Sequence, residues 1–144
     1  MKKFLTLFVC AAAAVSVSAA PKNVDYDKLP ASSQEFLQKN FSHETVKSVV
    51  LDREASWDKY TVYFNSGLHI SFEGGSGDCS EIVTKSGAIP ASALPSRLRS
   101  YVASQYPSAQ ITMYQTTADG YRLGLSNKTF LDFDKNGNFV KATK

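Results

Sequence analysis

The chain has 144 residues, room for one ordinary domain or two very small ones. Sixteen Lys and Arg face thirteen Asp and Glu, and without Lys2 and Lys3 the balance is fourteen to thirteen, which argues against the basic face of a nucleic-acid protein. Hydrophobics at 43% and aromatics at 12% exclude a disordered chain and supply a core.

Residues 1–19 read as a secretory signal peptide. Lys2 and Lys3 give the positive start, Phe4 to Val17 is apolar except for Thr6 and Ser16, and Ser18-Ala19 gives small residues for cleavage after Ala19. The apolar stretch is short for a membrane span and no second one follows, so the mature chain is expected in the periplasm or secreted, with no span of its own. Cys10 loosely suggests a lipobox, but Val9 before it is too large, so Cys10 is expected to leave with the discarded peptide. Cys79 then stands alone, so no internal disulfide is expected.

Residues 20–28 are an N-terminal extension. Leu29, Phe36, Leu37 and Phe41 form a helical stripe, started by Pro30, with Ser32-x-x-Glu35 as a candidate capping box. A strand is predicted near Val46–Leu51, and Trp57 lies in the turn that follows. Next, Tyr60, Val62 and Phe64 face one way, with Thr61 and Tyr63 opposite. After the hairpin Asn65-Ser66-Gly67, Leu68, Ile70 and Phe72 face one way, with His69 and Ser71 opposite. A glycine-rich turn, Gly74 to Gly77, leads to Cys79. Residues 91–95 form a short joint. Leu94, Leu98, Tyr101, Val102 and Tyr106 make a second helical stripe, with Pro95 in its first turn and Pro107 as its stop. Strands follow near Ile111–Thr116, Tyr121–Leu125 and Thr129–Phe133, and Asn136-Gly137 is a strong turn signal.

The spacing recurs. Leu29-Pro30 returns as Leu94-Pro95, and the step from Tyr60 to Phe72 equals that from Tyr121 to Phe133. The expected fold is therefore α+β: a tandem repeat of a helix plus a four-stranded antiparallel meander, helices on one face of the sheet. The first repeat would occupy residues 29–90 and the second 91–144. A unit that small buries too little surface alone, so the two would share a core or join edges.

This order of Leu-Pro, helix, aromatic, Tyr-x-Val-x-Phe, hairpin, Ile-x-Phe and glycine turn resembles the PepSY-like family of exported, β-lactamase-inhibitor-like bacterial proteins. Tyr121 to Val140, with Phe133-Asp134-Lys135-Asn136-Gly137-Asn138-Phe139, carries the resemblance best, and it extends over roughly residues 29–144. It implies the repeated helix-plus-strands unit and a sheet face that binds another protein. It supplies no catalytic residues. Cys79 departs from it, since the family often has Trp after that turn glycine.

The chemical candidates are few. Cys79 aligns with Phe139 and reads as a small core side chain rather than a nucleophile. His43-Glu44-Thr45-Val46-Lys47 is not a zinc motif, and two His with one Cys leave a zinc site short of ligands. Asp132-x-Asp134-x-Asn136-Gly137 opens like a calcium loop, but Thr143 stands where that loop needs Glu, so a turn is expected. Gly74-Gly75-Ser76-Gly77 lacks the Lys and the helix of a phosphate loop. No cofactor, metal or catalytic residue is assigned, and the chain is read as no enzyme.

What remains is the outward sheet face. Tyr63, His69, Arg122 and Phe130, with Trp57 in its turn, are the candidate partner-binding residues, being types that dominate interface hot spots. Aromatics paired across a solvated sheet are the bland alternative. The expected function is an exported, non-enzymatic binding module that presents an open β-sheet face to an extracytoplasmic protein or peptide, an inhibitor-like role included. The alternative is a periplasmic small-ligand carrier whose pocket is lined by Tyr60, Tyr101, Tyr106 and Tyr121. An enzyme using Cys79 or His69 is a third reading.

Overall fold

The computed structural model describes residues 20–53 and 56–144. The signal-peptide reading of residues 1–19, with Cys10, lies outside the described residues. The elements run β1 (Lys22–Val24), α1 (Ala31–Asn40), β2 (Val46–Arg53), β3 (Asp58–Phe64), β4 (His69–Glu73), β5 (Cys79–Val83), α2 (Ser96–Gln105), β6 (Ile111–Thr117), β7 (Gly120–Leu125), β8 (Phe130–Asp134) and β9 (Phe139–Thr143). Short 3-10 turns at Tyr26–Lys28 and Ala91–Ala93 precede the helices.

All nine strands form one antiparallel sheet in chain order, β1 at one edge and β9 at the other. The register places Val49, Val62, Ile70, Ile82, Tyr114, Leu123 and Leu131 side by side across β2 to β8. Every one of them is buried. Both helices cover this face. From α1, Phe36 meets Phe72 edge-on at 5.7 Å; from α2, Tyr101 meets Phe133 edge-on at 5.5 Å. Leu37, Leu98 and Val102 join the strand residues in one apolar cluster. Removing that much apolar surface from water is the main stabilising term, at about 25 cal/mol per Å2.

The expected tandem repeat of a helix plus a four-stranded meander is corrected by this topology. The protein is a single nine-stranded antiparallel sheet with two α-helices among the described residues. The decisive contact is between β5 and β6, where Glu81 pairs with Gln115, Ile82 with Tyr114 and Val83 with Met113. Without it, two rows of backbone N–H and C=O groups would be left as interior edges and the apolar row would be cut in two. β1, inside the segment read as an extension, adds the ninth strand by pairing Lys22 with Leu51 and Val24 with Val49.

Smaller differences have local causes. Both helices start one residue after proline, with Pro30 and Pro95 at the cap positions. Ser32 forms no capping box. Its hydroxyl donates to the Ser76 carbonyl at 3.1 Å, and the buried Ser33 hydroxyl donates to the Gly77 carbonyl at 2.8 Å, tying α1 to the loop before β5. Asn136-Gly137 sits in a three-residue loop: the Gly137 N–H donates to Asp134, Asp134 N–H donates to Asn138, and Gly137 takes φ +82°. Ser71, predicted to face outward, is buried, its hydroxyl 2.9 Å from that of Thr61.

Candidate functional site

The face away from the helices carries two parallel rows of side chains. Alternation along each strand fixes which residues point there, and the pairing fixes how they line up. The first row is Tyr63 (β3), His69 (β4), Val83 (β5), Met113 (β6), Gly124 (β7) and Phe130 (β8), each the direct partner of the next. Five interstrand steps separate Tyr63 from Phe130, about 24 Å at the usual strand spacing. The second row is Thr61, Ser71, Glu81, Gln115, Arg122, Asp132 and Lys141. An apolar and aromatic stripe thus lies beside a polar one.

The apolar stripe is exposed where it is largest. Tyr63 is 42% and Phe130 39% accessible. The Tyr63 and His69 rings lie 5.8 Å apart at 40°. Gly124 lets the far end close up: a Cβ there would lie 3.0 Å from the Met113 Cβ and 3.4 Å from the Phe130 ring. Charges of the polar stripe are paired, Glu81 with a residue of the neighbouring row and Asp132 within its own. His69 Nε2 lies 3.2 Å from Glu81 Oε1. Arg122 grips Asp132 with two bonds, Nε to Oδ1 at 2.7 Å and an Nη to Oδ2 at 3.1 Å, and Lys141 Nζ lies 3.9 Å from the same carboxylate. The hydrogen bond from Arg122 is the main cause holding the Asp132 carboxyl below the ordinary carboxylate range.

Of the five residues singled out in the sequence, Tyr63, His69 and Phe130 fall in one row, and Arg122 lies in the row beside it. Trp57, 48% exposed, does not join them. It precedes the start of β3 while Tyr63 lies near its end, six residues and about 20 Å along the strand. Val83 and Met113 complete the row and were not among the candidates. Alternation gave no signal for Met113, because the register shifts between Ile111, which is buried in the core, and Met113, and only the β5–β6 pairing shows that it continues the line from His69.

The other candidates are accounted for by packing. Cys79 is half-buried against the core, its thiol within 3.7 Å of the Glu81 carbonyl. Burial is the main cause pushing that thiol up to about 12. We therefore expect Cys79 in the folded protein to react with a maleimide at least about a hundredfold more slowly than in urea at neutral pH, where thiolate carries the reaction. Comparable folded and unfolded rates, read by mass spectrometry, would show an accessible thiolate instead.

Asp134 is occupied as a turn residue. Its Oδ1 accepts the N–H groups of Asn136 and Asn138, each at 2.9 Å, and these bonds, from Asn138 first, lower its carboxyl. Asp132, the first carboxylate of the calcium-like motif, is bound by Arg122. No group of three or more His, Cys, Asp or Glu among the described residues is arranged to hold a metal.

Two open grooves flank the far end of the sheet. One, about 430 Å3, is lined by Arg97, Ser100, Tyr101, Asn138 and Phe139; the other, about 460 Å3, by Thr117, Tyr121, Arg122, Asp132, Val140 and Lys141. Neither is a chamber between sheet and helices. Of the four tyrosines read as pocket-lining, Tyr101 stacks on Phe139 at 4.6 Å and Tyr121 on Tyr114 at 6.1 Å, and all four pack against the core.

Comparison with known proteins gives a consistent picture. A family model described as "Putative beta-lactamase-inhibitor-like, PepSY-like" matches residues 58–141. Three solved structures share the fold. A "putative periplasmic protein" of Bacteroides vulgatus is 24% identical with a TM-score of 0.82, covering 88% of this chain and 99% of its own. A "putative calcium-regulated periplasmic protein" of Bacteroides thetaiotaomicron is 25% identical at a TM-score of 0.81, covering 86% and 97%. A second Bacteroides vulgatus structure, described as a periplasmic protein of unknown function, is 25% identical at 0.78, covering 86% and 99%. No curated protein matches the chain.

Proposed function

The chain belongs to the PepSY-like, β-lactamase-inhibitor-like family, and from that premise we propose that it is an exported, non-enzymatic binding module. Its helix-free sheet face is the docking surface and its partner is an extracytoplasmic protein or peptide, in an inhibitor-like role. The observation that carries this reading is the continuous row Tyr63, His69, Val83, Met113 and Phe130, aromatic at both exposed ends. Such a row gives rigid apolar contact area at small entropic cost, while the adjacent row of paired charges offers a polar rim.

An extracytoplasmic location is supported by the signal-like pattern of residues 1–19 and by the periplasmic descriptions of the three similar structures. No described helix is long and apolar enough to cross a membrane. Calcium regulation is the description of one similar structure and is not carried over to this chain.

The test is retention of a partner from a periplasmic extract of the source organism by residues 20–144, beside the double variant Tyr63→Ala/Phe130→Arg. Truncating an aromatic and burying a charge each cost about 2 kcal/mol or more at a hot spot, so retention should fall by at least about tenfold. Circular dichroism confirms that the variant is folded. Equal retention by both proteins would remove the sheet face as the binding surface.

A further inference from the structure

One end of the aromatic row opens into a pocket. Ser48 pairs with Tyr63 and Tyr63 with His69, so the three side chains stand next to one another on the open face. A groove of about 240 Å3 lies there, its lining completed by Lys47, Lys85 and the hairpin residues Phe64, Gly67 and Leu68.

The backbone places both lysines. The β2–β3 ladder shifts register between Val46 and Ser48, which makes Lys47 the extra residue of a β-bulge and sets it, with Ser48, opposite Tyr63. Bulges re-aim a side chain and recur beside functional sites. Lys85 comes from the turn after β5. There the Thr84 hydroxyl donates to the Ser86 carbonyl at 2.6 Å and accepts the Ser86 N–H at 3.3 Å. The Lys85 stem then lies over bare Gly67, where a Cβ would come within 2.8 Å of its Cδ. Two cations from separate strands thus meet the β3–β4 hairpin at one groove.

Nothing in the lining offsets them. It contains no Asp or Glu, and among the described residues neither lysine has an ion-pair partner. The carboxylates on adjoining segments are engaged: Glu81 lies 3.2 Å from His69, and Glu44 accepts the Ser66 hydroxyl at 2.8 Å. Two uncompensated ammonium groups beside the Ser48 and Tyr63 hydroxyls favour an oxyanion. The rest of the lining is aromatic or apolar and runs on into the row of Tyr63, His69 and Val83, which suits a carboxylate carried on methylenes. Resting on the reading of the open face as a docking surface, we propose that this groove is an anchor for an acidic side chain of the docked protein or peptide.

The probe is acetyl-Phe-Glu-amide, titrated into 15N-labelled protein beside its neutral isostere acetyl-Phe-Gln-amide. The Glu peptide should shift the amides of Lys47, Ser48, Gly67 and Lys85, bind at least about fivefold more tightly than the Gln peptide, and weaken as salt is raised. Lys47→Gln/Lys85→Gln should abolish the difference between the peptides. Lys28→Gln/Lys39→Gln, the same change in net charge away from the groove, should preserve it. Equal binding of the two peptides, shifts elsewhere, or equal loss in both variants overturns the proposal. Glutarate binding as tightly as the Glu peptide also overturns it, since a free small carboxylate would then fill the groove without a partner. The periplasmic extract separates the two readings. A partner retained by Lys47→Gln/Lys85→Gln as by wild type, but lost by Tyr63→Ala/Phe130→Arg, overturns the anchor and leaves the docking face. A partner retained by all three proteins removes the docking face, whatever the peptides do.

Discussion

Phe72→Ala should lower the free energy of unfolding by about 3–5 kcal/mol, the cost of removing a large aromatic from a filled core. The ring is fully buried on β4, across from Tyr60 and beside Cys79, with the Phe36 edge against it. A small domain has only about 5–15 kcal/mol in total, so this one truncation removes a large share. Because the apolar cluster runs unbroken from Leu37 to Phe133, the loss is felt by the whole molecule. Urea unfolding followed by far-UV circular dichroism and by the near-UV tyrosine signal should give a single coincident transition in wild type and variant. Separate midpoints for the two signals would mean that the halves of the sheet unfold independently, contrary to the β5–β6 pairing.

Gly120→Ala should be as damaging for a different reason. Gly120 begins β7 with φ +154°, a conformation that L side chains rarely adopt. A Cβ there would collide with the Phe133 carbonyl oxygen and lie 2.8 Å from the Asp134 Cα. Both obstacles are backbone of the neighbouring strand, which cannot move without breaking the β7–β8 register. Strain and clash together should cost about 3 kcal/mol or more. Gly75→Ala is the control: nothing lies within 4 Å of its Cβ position, and the change should stay within about 0.5 kcal/mol. If Gly120→Ala costs no more than Gly75→Ala in urea denaturation, the pairing of Gly120 with Asp134 is wrong.

Much of the local structure was legible because period and burial coincide. Val62, Phe64, Leu68, Ile70 and Phe72 are buried as their alternation predicts, and Leu98 and Val102 lie on the buried stripe of α2. Ser71 broke the pattern because a small hydroxyl flanked by Thr61 and Glu81 is covered by its neighbours. The Ser32 capping box failed because the serines of α1 found carbonyls at Ser76 and Gly77, forty-four residues away, that no local pattern announces. The equal spacing of Tyr60–Phe72 and Tyr121–Phe133 suggested two repeated units, but spacing along a chain does not tell where a sheet stops. Likewise, Tyr63 and Phe130 were each recognisable as outward aromatics, yet nothing local said that they stand in one line.

The sequence by itself determined the apolar residues that turn inward on β3, β4 and the two helices, the hairpin between β3 and β4, and a Cys79 suited to packing. These follow from side-chain period and turn chemistry within a few residues. Only the tertiary structure decided that nine strands make one sheet, that Val83 and Met113 bridge His69 to Phe130, and that Trp57 stands apart. The pairing of β5 with β6 joins Ile82 to Tyr114, thirty-two positions apart in the chain, because two unpaired inner edges and a divided core would leave backbone groups unbonded and apolar surface wet.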